Sequence, residues 1–288
     1  GSLYAKVADK PDVVSVGGAL EYQVDKSLFD VREKRLAVFD TGDVSALGVI
    51  AADGKTLYKI EKPESEYYLR EPMAALASNS QITGILSALA NLRASEFVAE
   101  QGQAADLSAY GLDHPAFSVT LKVKDKPLEL LLGKTQKDSA THYYARLREG
   151  SPIIKFSGEW LVQKIDVGAQ TLRDTRLLVF ARDKVKKLLM QKADTTLLFE
   201  RKSEEGKDVW NMLKPETTRV KDTVLTGLVY KLWDLKAQKI ISDTLDEAAK
   251  TTHGFASLGT RFELLGDADQ KLGELSIGTA DGETYYAT

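Results

Sequence analysis

The sequence contains no cysteine. That absence removes thiol nucleophiles, disulfide staples and thiolate metal sites together, and it suits an oxidising periplasm as well as a reducing cytoplasm. Histidine is scarce: His114, His142 and His253 are the complete set, and none has metal-ligand spacing with another. Long apolar runs are missing as well, so no stretch approaches the roughly 20 residues that a membrane-spanning helix requires. The start of the chain carries no signal-peptide pattern, and Gly1-Ser2 reads as a cloning remnant. Nor does one sign of charge dominate. The chain has 39 Lys and Arg against 42 Asp and Glu, a net charge of −3, with the two signs interspersed. No broad basic surface is available for nucleic acid or for an anionic membrane.

What the chain does have is 288 residues, 43% hydrophobic and 28% charged, enough for two globular cores. It also repeats itself. Tyr4-Ala5 recurs as Tyr144-Ala145 and as Tyr286-Ala287. At an offset of 141, Arg32 to Phe39 lies over Arg173 to Phe180, and the match continues to Val44 over Val185. At an offset of 143, Ile82 through Ala94 lies over Leu225 through Ala237, and Tyr110-Gly111-Leu112 falls on His253-Gly254-Phe255. Short loop insertions account for the drift between offsets. The chain therefore starts and stops partway through a period of about 141 residues. Residues 1–30 read as the C-terminal part of a preceding repeat, 31–171 as the first repeat and 172–288 as a second, truncated one.

Each period predicts the same order of elements. Alternating apolar residues predict strands at Leu36–Phe39, Val44–Ile50 and Thr56–Ile60, with the turn Ala52-Asp53-Gly54-Lys55 before the third. The second copy gives Leu177–Phe180, Val185–Met190 and Thr196–Phe199. A strand ending in proline follows in both, Tyr67–Pro72 and Trp210–Pro215, and the aromatic five positions before each proline is expected to pack on the sheet. Ile82, Ile85, Leu86, Leu89 and Leu92 then follow the i, i+3, i+4, i+7 pattern of a helix, repeated by Leu225, Leu228, Val229, Leu232 and Leu235. Further strands are expected at Ser95–Val98 and its equivalent Gln238–Ile241. Ala104–Tyr110 predicts a short helix stopped by Gly111, with Gly254 as the matching stop. Phe117–Val123, Leu128–Leu132, His142–Leu147 and Ile153–Phe156 complete a meander. These patterns predict an α+β fold: two tandem copies of a mainly antiparallel sheet-plus-helix module, out of phase with the chain ends.

No motif commits the chain to chemistry. Leu132-Gly133-Lys134-Thr135 ends like a phosphate-binding loop, but Leu128 stands where such a loop needs glycine, and the duplicate reads Ile277-Gly278-Thr279 without the lysine. A strand-terminating turn is the reading for that segment. No Gly-x-Ser-x-Gly elbow and no dinucleotide fingerprint occurs. Carboxylates mostly sit beside Lys or Arg, and none forms a preferred acid-base pair. No catalytic, cofactor or metal residue is assigned. The repeated Arg-acid-x-Arg, at Arg32 and Arg35 and again at Arg173 and Arg176, reads as a structural ion-pair network or a docking surface. Tyr143 and Tyr144 face opposite sides of a strand, so one at most belongs to a given binding face. These six residues form the candidate interaction surface.

Taken together, Arg173 to Phe180, Tyr110-Gly111-Leu112-Asp113-His114-Pro115, Leu131-Leu132-Gly133-Lys134 and Tyr143-Tyr144-Ala145-Arg146 resemble a tandem-repeat bacterial family, domain of unknown function 4340. The second copy departs from it, with Leu258 where Pro115 aligns and Thr279 for Lys134. The resemblance implies an envelope protein with an N-terminal membrane anchor and repeats outside the cytoplasm, accompanying transport systems of the ATP-binding-cassette kind. It brings no catalytic residues and no cofactor.

The expected function is a noncatalytic binding or scaffolding module, with an envelope protein or transporter component as partner. Two rivals stand beside it: a hydrolase using carboxylates gathered in a cleft between the copies, and a small-ligand receptor at the interdomain interface.

Overall fold

A computed structural model describes residues 2–100, 106–137, 139–256, 259–282 and 284–288. The chain forms two compact units, residues 1–174 and 175–288. Among the described residues, no helix is long and apolar enough to cross a membrane.

The first unit opens with a two-stranded hairpin, β1 (Ser2–Lys6) and β2 (Val13–Gly17), and two short helices, α1 (Ala19–Val24) and α2 (Leu28–Val31). Next come β3 (Val44–Ala51), β4 (Thr56–Glu61), β5 (Tyr68–Glu71), β6 (Ala75–Leu76), α3 (Asn79–Ala90) and β7 (Glu96–Ala99). The unit finishes with β8 (Phe117–Val123), β9 (Lys126–Lys137), β10 (Ala140–Leu147), β11 (Ile153–Phe156) and α4 (Glu159–Ile165). The nine strands from β3 to β11 form one antiparallel sheet in the order β6-β5-β4-β3-β8-β9-β10-β11-β7.

Alternation places this sheet's apolar residues. Leu47 and Val49 of β3 lie opposite Ile60 and Tyr58 on one side and Leu121 and Val119 on the other, all buried. The predicted stripe of α3, Ile82, Ile85, Leu86 and Leu89, joins the same core, as do Leu161 and Ile165 of α4. Each such side chain contributes about 1.5–3 kcal/mol on leaving water. On β9, Leu130 and Leu132 enter this core while Leu131 between them enters a smaller cluster with Leu112 and Ile153.

The second unit repeats the plan with β12 (Lys187–Lys192), β13 (Thr195–Glu204), β14 (Lys207–Lys214), β15 (Thr218–Arg219), α5 (Asp222–Asp234), α6 (Glu247–Thr252), β16 (Thr260–Leu265), β17 (Lys271–Asp281) and β18 (Thr284–Ala287). Its sheet order, β15-β14-β13-β12-β16-β17-β18, is that of β6 through β10 strand for strand. The α+β reading and its two modules are thus what the chain adopts. Tyr67 and Trp210, the aromatics before the two prolines, are both buried. Their backbone amides donate to the equivalent side chains Asn79 and Asp222. Both following bonds, Glu71–Pro72 and Lys214–Pro215, are cis.

The N-terminal hairpin reproduces the end of the first unit. Tyr4 pairs with Ser15 and Ala5 with Val14, just as Tyr144 pairs with Lys155 and Ala145 with Ile154. A helix follows in both places, α1 after β2 and α4 after β11.

Three local expectations are corrected. Leu36–Phe39 and Leu177–Phe180 are not strands. Each run instead lies along the residues after the helix, through Leu36 N–H to the Leu92 carbonyl and Leu177 N–H to the Leu235 carbonyl. Their apolar residues alternate because they pin the chain onto the core from outside the sheet. Gln238–Ile241 is not a strand either. Its counterpart β7 is held by β11, and among the described residues nothing in the second unit takes the part of β11. Finally, Gly133 does not end a strand, because β9 runs on to Lys137 paired with β10. Leu107–Tyr110 is a 3-10 turn capped by Asp106 and stopped by Gly111 in the left-handed region. Ala104 and Ala105, included in the expected helix, and Leu258 lie outside the described residues.

Candidate functional site

The repeated motifs around Gly111, Gly133 and Tyr144 are explained by one packing device, present twice. Gly111 has φ of 62°, and a Cβ there would stand 2.8 Å from the Lys134 carbonyl oxygen. A Cβ at Gly133 would overlap the carbonyl of Tyr110. The two backbones therefore touch where glycine alone fits. Tyr110 then meets Tyr144 edge to face, with ring centroids 5.1 Å apart. In the second unit Gly254 and Gly278 take the same roles, and His253 packs on Tyr286 with centroids 4.1 Å apart. Lys134 is thus a strand residue beside a packing glycine.

The arginines are bound into local structure. Arg32 donates to Glu100 at 2.6 Å, and its guanidinium lies 3.6 Å from the centroid of the Phe97 ring. Arg35 holds Glu33 at 2.9 Å, and that hydrogen bond keeps the Glu33 carboxyl well below its ordinary range, at about 2. Arg35 and Arg176 form backbone bridges to Arg93 and Lys236, equivalent places in the two copies. Arg173 bridges Ala77 and donates to Gln170 at 3.3 Å. Each of these contacts lies within its own unit, and exposed ion pairs of this kind contribute little individually.

The two tyrosines divide as alternation requires. Tyr144 enters the small cluster with Tyr110, while Tyr143 packs on Phe156 at 6.0 Å on the opposite side. Tyr143 also lines a groove of about 720 Å³, open to solvent. β10 supplies Thr141, His142 and Tyr143, β11 supplies Lys155 and Phe156, and the first turns of α4 supply Glu159, Trp160 and Gln163. Ser95, from the turn after α3, closes one side. Its hydroxyl donates to the Lys155 carbonyl at 3.0 Å, tying that turn to β11.

Among the described residues, Glu159 is the groove's one carboxylate. Gln163 Nε2 donates to it at 3.5 Å from the next turn of α4. No described cluster of His, Cys, Asp or Glu has the geometry to hold a metal ion. The groove offers an aromatic wall, Trp160 and Tyr143, with an ammonium, an imidazole and a carboxylate around it. That set suits contact with an extended polymer or peptide. Sequence reasoning reached Tyr143 and missed the rest, which comes from three separate stretches of the chain. One signal was present: α4 has Trp160 where the duplicate helix has Ala19, a large aromatic used in one copy alone.

The family described as Domain of unknown function (DUF4340) matches residues 1–72 and 68–258. The chain belongs to that family. The two overlapping stretches of DUF4340 cover most of its length, consistent with a tandem repeat. No curated protein and no solved structure matches the chain.

Proposed function

We propose that this chain is a noncatalytic binding or scaffolding module. In this reading it is the extracytoplasmic part of a membrane-anchored accessory protein that works beside an ATP-binding-cassette transport system. The observation that carries the reading is the use made of the duplicated positions. Leu86 and Val229, Tyr67 and Trp210, and the glycine pairs Gly111–Gly133 and Gly254–Gly278 all serve packing. Selection for shape and surface leaves that record, whereas selection for bond-making chemistry concentrates polar groups in a pocket. The exposed aromatic Trp160 beside the Tyr143 groove supplies a face for a partner. The cysteine-free composition suits an oxidising compartment, and the family resemblance supplies the envelope and transporter setting.

The test is site-specific photo-crosslinking from position 160 in cells carrying the membrane-anchored protein. The expected product joins it to a transporter component or an envelope polymer, and its envelope location changes when the transporter is deleted. Absence of any envelope crosslink, together with an unchanged location after the deletion, would refute the reading.

A further inference from the structure

The groove beside Tyr143 lies within the first unit, on strands that are paired on both sides. β10 runs between β9 and β11, and β11 between β10 and β7, so neither offers a free edge to an incoming strand. A peptide that binds by strand addition has no main chain to pair with there.

The floor of the groove is fixed. Tyr143 packs on Phe156, and the buried Gly158 lies against the same tyrosine, where a Cβ would overlap the ring. The Gly158 carbonyl accepts from Val162 N–H at 2.9 Å, so α4 starts from that contact. Leu161 and Ile165 anchor the helix in the core, and Glu159, Trp160 and Gln163 are exposed. Spacings of three and four residues put Trp160 and Glu159 beside Gln163 on one face of α4.

The three tryptophans of the chain are used differently. Trp210 is buried in the second core, and Trp233 has the Arg182 guanidinium 4.5 Å from its ring centroid. Trp160 is 45% exposed at the groove. Around it stand the carboxylate of Glu159, the carboxamide of Gln163 and the exposed hydroxyls of Thr141 and Ser157. The formal charges among the lining residues, Lys155 and Glu159, cancel, so a polyanion gains nothing from entering. An amphipathic plane ringed by uncharged or acceptor-rich polar groups matches a pyranose ring, which has an apolar C–H face and a rim of hydroxyls that both donate and accept. The volume of about 720 Å³ falls within the range of ligand sites, about 300–1,000 Å³.

We propose, on the reading of the chain as a binding module, that this groove takes an uncharged glycan strand. Trp160 stacks on the apolar face of one sugar ring, and Glu159, Gln163, Thr141 and Ser157 bond its rim hydroxyls.

Calorimetric titration of the whole chain with cellohexaose and with N-acetylchitohexaose tests this, with polygalacturonate as the charged counterpart and polyproline as the peptide. Saturable binding of one or both neutral hexamers is expected, with a Kd below about 1 mM. Trp160→Ala is expected to weaken it about tenfold or more and Gln163→Ala several-fold, while Trp160→Phe, which keeps a stacking face, stays within a few-fold. Tyr230→Ala, at an exposed aromatic of the second unit, is expected to leave binding unchanged. Far-ultraviolet circular dichroism is expected to match the parent for all four, since each changes an exposed side chain. Failure of both neutral hexamers to bind would overturn the proposal. So would tighter binding of polygalacturonate or polyproline, or binding that Trp160→Ala leaves intact. A crosslink from position 160 to a transporter component, with neither hexamer bound, would overturn the glycan and leave the binding-module reading standing. A bound hexamer released by Trp160→Ala, with no envelope crosslink and an unchanged location, would keep the glycan site and sink the transporter setting.

Discussion

Leu161→Ala and Leu20→Ala are the same chemical change at equivalent places in the repeat, and the structure predicts opposite outcomes. Leu161 is completely buried between α4 and the first core, whereas Leu20 is 40% exposed on α1. Truncating a buried leucine removes the transfer energy of its methyl groups and leaves a cavity, for a cost of about 3–5 kcal/mol. The change at Leu20 removes surface already in contact with water and is expected to cost under about 1 kcal/mol. Because the chain has two units, a single unfolding midpoint would blur the result. Hydrogen exchange read peptide by peptide in dilute solution separates them. Leu161→Ala is expected to speed exchange in β3, β4 and α3 by about 100-fold or more, while β12 and α5 keep their parent rates. Equal effects from the two substitutions would refute the assignment of α4 as a core element and α1 as its uncovered twin. So would acceleration in the second unit.

Gly133→Ala and Gly278→Ala are each expected to cost about 1–3 kcal/mol, since the new Cβ meets a backbone carbonyl; Gly84→Ala and Gly227→Ala, with open space around them on α3 and α5, are expected to stabilise by about 0.5–1 kcal/mol, all read by hydrogen exchange in the unit that carries the change. Tyr58→Phe strips the Ile165 carbonyl of its donor and is expected to cost about 1–3 kcal/mol in urea unfolding. Burial, with Asp166 adding to it, also raises the Tyr58 hydroxyl above its ordinary value of 10.0. The folded chain therefore keeps a proton that the unfolded chain releases, and the stability this confers is lost as pH rises above about 10. Phenylalanine at position 58 is expected to remove that component from the alkaline limb. At the other end of the scale, Arg35→Ala is expected to raise the Glu33 carboxyl from about 2 only part of the way toward the ordinary carboxylate range in an NMR titration, because the backbone N–H of residue 35 still donates to it.

Most of the sheet was legible because its residues obey a period of two with one face in a core. Phe117–Val123 and Ile153–Phe156 match their strands to the residue, and the leucine stripe located both long helices. Leu36–Phe39 deceived because apolar alternation records burial on one side, which a segment lying along a helix exit achieves without pairing. Gln238–Ile241 deceived for a different reason. Its own residues suit a strand, but the counterpart β7 is held by pairing with β11, and among the described residues only the first unit shows that neighbour. Gly133 was legible as special and not as mid-strand, since the Tyr110 carbonyl that demands it is distant in sequence. The groove beside Tyr143 was the least legible feature, because Ser95, Lys155 and Trp160 become neighbours only after the sheet has formed.

The strand order of each unit also sets how it is assembled. β3 to β6 are sequence neighbours that zip one after another, and so are β8 to β11, but the two ribbons meet at a single seam where Val49 faces Val119. That seam closes a loop of about 70 residues, the costliest entropic step in the unit. Met190 facing Phe262 sets the same span in the second unit. During synthesis the edge of β3 consequently stands bare until β8 has left the ribosome, and α3 and α5 are the elements that shelter each half-built sheet in the interval.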